Sequence, residues 1–315
     1  MRRALLLVAI LLLPAASRAA PQGGTPVALV TAETENQLLA VALPSGGVEK
    51  RLYMPADPQN VEANNSVAVV VSTRAGAVTL VDTQRLRVTR IFRGFGSPHI
   101  AALSPNGQFA YVTDDARGQL VVIGLARKRI LARVFVGFGA HHMTFRPHHH
   151  ELWIALGERA RSIHVIDTTN PAHPRPRGWF SPAGGLMHDL AFAPDGRRLW
   201  VTYDDRPTIS VFDARTRRVV LTRRAGSPPQ HVAFSRFAYV TSGNDGRLLI
   251  FSIAGRLLGI AATPRGSYNL GLGGGLVLTP SLTAGTLTAL TDKGHRIGST
   301  RPAPATRDAA LVVLP

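Results

Sequence analysis

The chain of 315 residues contains no cysteine. That excludes disulfides, thiol catalysis, thiolate metal ligands and a lipidated cysteine. Aromatic residues make up only 6%, so a core must be built from Val, Leu and Ala. A surface of aromatic platforms for stacking single-stranded nucleic acid is therefore poorly supported. Acidic residues are scarce too: 19 Asp and Glu stand against 36 Lys and Arg, for a formal charge of +17. Long hydrophobic runs are missing, the longest being the ten residues Ala4–Leu13, where a spanning helix needs about 20. There is also no Gly-x-Ser-x-Gly elbow, no His-Glu-x-x-His and no Gly-rich loop closing on Lys-Ser/Thr.

What the chain does have is repetition. From Pro98 it runs through Leu103, turns at Ser104-Pro105-Asn106-Gly107, and resumes as Phe109-Ala110-Tyr111-Val112-Thr113. Gly118–Ile123 follows, then a basic turn, then Ile130–Val136, and at Gly137-Phe138-Gly139-Ala140-His141 the pattern restarts. Short apolar runs bounded by Gly, Pro, Asn and Asp read as strands. Four antiparallel strands and a restart make one propeller blade.

Copies of this unit recur. Leu103-Ser104-Pro105-Asn106-Gly107 returns as Phe192-Ala193-Pro194-Asp195-Gly196, and more weakly at Phe145-Arg146-Pro147 and Phe234-Ser235-Arg236. The aromatic at Tyr111 recurs at Trp153, Trp200 and Tyr239, with spacings of 42, 47 and 39 residues. A four-stranded blade repeats at about 40–45 residues. Laid end to end, second strands fall near Ala28–Thr31, Val67–Ser72, Phe109–Thr113, Leu152–Leu156, Leu199–Thr202, Phe237–Thr241 and Leu276–Thr279. The expectation is an all-β, seven-bladed β-propeller with four antiparallel strands per blade. Its ring would be closed by the C-terminal run Ala309–Val313 joining the N-terminal blade, which removes free sheet edges.

Phe109-Ala110-Tyr111-Val112-Thr113, Leu199-Trp200-Val201-Thr202 and Ala238-Tyr239-Val240-Thr241, with the trailing hydrophobic-Asp-Thr/Ala seen at Val81-Asp82-Thr83, Ile166-Asp167-Thr168 and Phe212-Asp213-Ala214, resemble the YVTN-type repeat. That repeat belongs to seven-bladed propellers of the YncE-like and lactonase-like group. The resemblance spans nearly the whole chain after the N-terminal segment. It implies how a blade is built and little about what it binds.

Arg2-Arg3, the run Ala4–Leu13 and the small residues of Ser17-Arg18-Ala19 read as a cleavable secretory signal over 1–19, with an uncleaved anchor as the competing reading. A flexible lead over 20–26 would follow, and a single propeller domain over 27–315. The expected location is secreted or periplasmic, and the expected state a monomer without a transmembrane span. Removing Arg2, Arg3 and Arg18 lowers the charge from +17 to +14. A basic rim suits an anionic cell-envelope polymer or protein; nucleic acid is the weaker candidate. Against this stands a plain solvated surface, because Arg127-Lys128-Arg129, Arg215, Arg217, Arg218 and Arg223-Arg224 scatter over outer turns and strands.

The chemically pointed pattern appears at the starts of the innermost strands. Counting back from Leu103, Phe145, Phe192 and Phe234, one register position holds His99, His141, His188 and Gln230. The next holds Ile100, His142, Asp189 and His231. Weaker blades offer Gln59-Asn60, Tyr268-Asn269 and Arg307-Asp308. Innermost strands line the channel, and the loops from second to third strands open on the same face with Asp114-Asp115, Glu158, Asp204-Asp205 and Asn244-Asp245. A funnel of imidazoles and amides ringed by carboxylates results. His148-His149-His150 would sit in a turn on the opposite face, and Gly271–Gly275 would form a tight turn between a first and a second strand.

Three readings compete for the funnel: a pocket for a small anionic molecule, a divalent transition-metal site with His99, His141 and His188 as candidate ligands, and a merely wetted channel. The functional expectation is a non-enzymatic binding scaffold presenting the funnel and rim to an anionic ligand or envelope partner. The alternative, implied by the resemblance, is a lactonase-like or metal-assisted hydrolase using the same histidines.

Overall fold

Apolar runs of three to nine residues, each stopped by a turn, pair with their sequence neighbours into seven four-stranded antiparallel sheets. The computed structural model describes residues 24–156, 161–182 and 185–315. The expected signal, residues 20–23 of the expected lead, and Glu158 lie outside them. Blades 2 to 7 each take four consecutive strands. Blade 1 takes three from the N-terminal end and its innermost strand, Thr306–Leu314, from the C-terminal end. That strand pairs with Thr25–Ala32 from Thr25↔Leu314 to Ala32↔Thr306. The sheet thus begins two residues before the end of the expected lead.

Second and third strands are buried along most of their length, whereas a fourth strand such as Val219–Arg224 is exposed. The inner strands have a neighbouring blade on each face, so they read as unbroken apolar runs rather than alternating ones. The core is therefore divided into seams between blades. In one seam Val69, Val71, Val78 and Leu80 of blade 2 meet Ala101, Val112, Val121 and Ile123 of blade 3. The recurring aromatic has the same cause. Tyr111, Trp153 and Trp200 pack edge-to-face, at 5.2, 5.1 and 5.5 Å, on Phe145, Phe192 and Phe234 of the following blade. Each such pair adds roughly 0.5–1.5 kcal/mol beyond area burial, and it also fixes the rotation of one blade on the next.

Innermost strands carry a defect that prepares the site. In blade 3 the ladder runs Pro98↔Asp114 and then Ala101↔Val112, so His99 and Ile100 together face the single residue Thr113. Blade 5 repeats this with His188 and Asp189 opposite Thr202, and blade 1 with Arg307 and Asp308 opposite Thr31. A bulge leaves backbone groups without ladder partners and re-aims side chains. The threonine hydroxyl supplies the partner. Thr113 Oγ1 accepts from Ile100 N at 3.2 Å and donates to the His141 carbonyl of the next blade at 2.8 Å. Thr202 accepts from Asp189 N and donates to the Gln230 carbonyl; Thr241 accepts from His231 N and donates to the Tyr268 carbonyl.

One expectation needs correction. Gly271–Gly273 is itself the innermost strand of blade 7, and only Gly274-Gly275 make the turn, at φ +55° and +77°. A Cβ on Gly271 would meet the Ala309 carbonyl oxygen at 2.2 Å. Glycine is needed there because the innermost strand of blade 1 passes so close.

Thr202→Val keeps the shape but removes both hydroxyl bonds. The expected result is a loss of about 1–3 kcal/mol of stability, read from the urea midpoint. An unchanged midpoint would show that the bulge does not depend on its threonine.

Candidate functional site

The bulges and strand starts deliver five imidazoles to the channel mouth. His99 and His141 stack face to face with ring centroids 3.6 Å apart and planes 16° from parallel. His188 and His231 meet edge-on at 5.1 Å. Between these pairs stands His142, with centroids 5.2 Å from His99, 4.7 Å from His141, and 4.8 Å from both His188 and His231. The side chain of His142 is 4% exposed. Among the described residues neither of its nitrogens has a hydrogen-bond partner. Burial, and then the neighbouring imidazoles led by His141, push the pKa values of His142 and His99 well below the ordinary 6.5. Both rings are neutral at physiological pH, with lone pairs available.

Three of the five have a carboxylate behind them. Nδ1 of His188 stands 2.9 Å from Asp204, Nδ1 of His231 3.3 Å from Asp189, and Nδ1 of His141 3.5 Å from Asp115. A carboxylate at Nδ1 orients the ring and directs the Nε2 lone pair outward, the usual support for a metal-ligating histidine. Burial alone would raise Asp204, but its bond and charge interaction with His188 bring its pKa below the ordinary value. One nitrogen each from His99, His141 and His142 lie within 4.8 Å of one another, as do those of His142, His188 and His231. Nitrogens bound to one tetrahedral ion at about 2.0–2.1 Å stand about 3.3–3.4 Å apart, so either set would have to draw in to hold one. The sequence candidates His99, His141 and His188 are thus joined through His142 and do not form one tight triad of their own.

Other expected funnel residues have structural work. Asp114 is fully buried and accepts from Gly96 N and Ser97 N at 2.8 and 2.9 Å, fastening its own blade. Asp205 pairs with Arg206 at 3.3 Å. Gln230 donates to the Pro228 carbonyl and accepts from Gly243 N, which caps a turn. Asp189 works twice: besides His231 it accepts from Val232 N of the next blade at 3.0 Å. Asp308 does the same for Val61 N, and Asn60 for Ala101 N. His148-His149-His150 fills a first-to-second-strand turn, with His148 at φ +62°, on the face opposite the five imidazoles.

Below the imidazoles the channel widens into a chamber of about 500 Å³, walled by small residues including Ala102, Thr144, Ala233 and Ala310. Sequence reasoning missed the carboxyl there, Glu62. It lines the chamber, partly buried there, and burial, aided by nearby Asp308, raises its pKa to about 7. Asp308 is raised too, first by burial, despite its bonds from Val61 N, Ala309 N and Asn60. Arg307 also lines the mouth and is tied to Glu33 at 3.0 Å.

No family model matches the chain, and no curated protein does. Solved structures share its architecture. A functionally unknown protein from Desulfotomaculum acetoxidans superposes with a TM-score of 0.80 at 14% identity, over 92% of this chain and 99% of that one. Apo AztD from Citrobacter koseri gives 0.72 at 10% identity, over 92% and 98%. The dihydro-heme d1 dehydrogenase NirN, in complex with DHE, gives 0.66 at 14% identity, over 88% and 64%. At these identities the likeness is one of fold, and the neighbours differ in what they do. Function must be read from the site.

Glu62 makes stability depend on pH. The folded chain keeps its proton up to about pH 7, while the unfolded carboxyl loses it near 4.5. Folded-state stability is thus greatest below 4.5 and is lost as pH rises through 7. Glu62→Gln should match the parent at pH 4 and exceed it at pH 8 by on the order of 2 kcal/mol, measured by denaturant titration. Equal stability at pH 8 would contradict the buried, protonated assignment.

Proposed function

We propose that this chain is an exported, non-enzymatic propeller whose hub binds a divalent transition-metal ion of the zinc or copper class. The observation that carries the reading is His142. It is a buried imidazole with two unpartnered nitrogens, surrounded by four more imidazoles, three of them backed by carboxylates. All-nitrogen donors with no thiolate suit Zn(II) and Cu(II) and disfavour Mg(II) and Ca(II). A small anion is less well served. It would need protonated rings, yet burial opposes charge on His99 and His142, and Asp115, Asp189 and Asp204 stand close by. The YVTN-type resemblance supplies the scaffold half of the proposal, and the N-terminal signal pattern supplies export.

The hydrolase alternative begins from the same site. Three imidazoles leave a coordination position open for water, which a bound ion would activate. Among the described residues the carboxylates at the mouth, Asp115, Asp189 and Asp204, are each engaged by a histidine Nδ1, so binding is the stronger reading.

Zinc affinity measured by competition with a chromophoric chelator tests the proposal. The parent should retain at least one Zn(II) per chain through dialysis. The double variant His188→Ala/His231→Ala should lose tight binding, whereas replacing His148, His149 and His150 by alanine should not. Asp204→Asn should weaken affinity about 10–100-fold, as removal of a carboxylate behind a ligand does. Equal zinc retention in the double variant, or none in the parent, overturns the reading.

A further inference from the structure

The five imidazoles do not form one shell. They form two pairs, His99 with His141 and His188 with His231, and between the pairs only His141 and His188 come near, at 6.2 Å. His142 is wedged between the pairs, in ring contact with all four. The two sets of nitrogens close enough to hold an ion share that one residue. The two nitrogens of an imidazole lie on different edges of the ring, so a single ion can take only one of them. In His142 both are buried and without a partner, and a polar atom left so has lost its hydration with nothing in return. A single ion would leave one orphaned and would leave one pair of histidines unused.

Building on the metal-binding reading of the hub, we propose that it holds two divalent ions bridged by His142. One ion sits on one ring nitrogen with His99 and His141, and the other sits on the second nitrogen with His188 and His231. Neutral imidazole carries one N–H proton, so bridging forms two nitrogen–metal bonds and breaks that N–H bond. The proton passes to solvent, and no electron changes hands. Asp115 supports the first ion's shell through His141; Asp204 and Asp189 support the second through His188 and His231. His142 itself has no carboxylate behind it, which is what a ring using both nitrogens requires. The fourth position of each ion remains open toward the channel.

Copper(II) tests this, because a bridging imidazolate couples the two unpaired spins. Full-length protein with His148, His149 and His150 replaced by alanine, to remove the exposed run, is titrated with Cu(II). Metal content and low-temperature electron paramagnetic resonance are then recorded. The expected result is two ions per chain at saturation, with a spin signal well below that of two isolated ions, and an uncoupled signal at low loading. Adding His99→Ala should reduce binding to one ion per chain and restore a full uncoupled signal for that ion. Saturation at one ion overturns the bridge while leaving a single metal site standing. Two ions without coupling also overturn it, by showing independent sites. No bound ion defeats both this inference and the metal-binding reading.

Discussion

When a strand carries one extra residue against its neighbour, backbone groups lose their partners and must be satisfied another way. In this propeller a threonine hydroxyl does so at the hub end of three blades, accepting from the strand beside it and donating to the carbonyl of the next blade. A buried backbone group left without a partner is too costly to recur blade after blade, so bulge and threonine come together. The pairing has a directional consequence. It frees two consecutive side chains per blade from the sheet and turns them to the channel, while the threonine locks them to the blade that follows. Residues far apart in sequence thereby become neighbours with little freedom to move.

Charge is distributed against the overall balance. Among the described residues, arginines such as Arg215, Arg217, Arg218, Arg223 and Arg224 crowd outer turns and a fourth strand, while the channel holds imidazoles, Asp115, Asp189, Asp204, Asp308 and Glu62. Asp189 and Asp308 also accept backbone N–H groups of the next blade. Part of the hub's acidity is therefore structural and would remain with no ligand at all. His142 is different. Its unpartnered nitrogens contribute nothing to holding the blades together, and under the proposed metal-binding reading an ion would satisfy them.

Most of the architecture was legible because the repeat is repeated packing: an aromatic on four of the second strands, an Asn-Gly or Asp-Gly turn in two blades, an apolar-Asp end to the third strand in three. Histidine at one register also showed, since register along an innermost strand maps directly onto depth in the channel. What stayed hidden was partnership. Asp114 and Asp115 are adjacent, yet the first fastens backbone and the second backs His141; of the next such pair, Asp204 backs His188 while Asp205 pairs with Arg206. The distinguishing signal was present in Thr113-x-Asp115 and Thr202-x-Asp204, where a carboxylate stands two residues past the threonine that faces the bulge. Glu62 gave no signal, because its setting depends on a chamber formed by four or more blades. The glycines at 271–273 looked like a turn because their real reason, the approach of Ala309, comes from the far end of the chain.

The central claim is that ring closure gathers five distant histidines into a metal centre. Anomalous diffraction at the zinc edge, from crystals of Zn(II)-loaded protein, tests it most directly. The account expects at least one strong peak at the hub, about 2.0–2.1 Å from nitrogens of His142 and of an adjoining pair. A hub without a peak, or a peak confined to His148-His149-His150 on the opposite face, would contradict it.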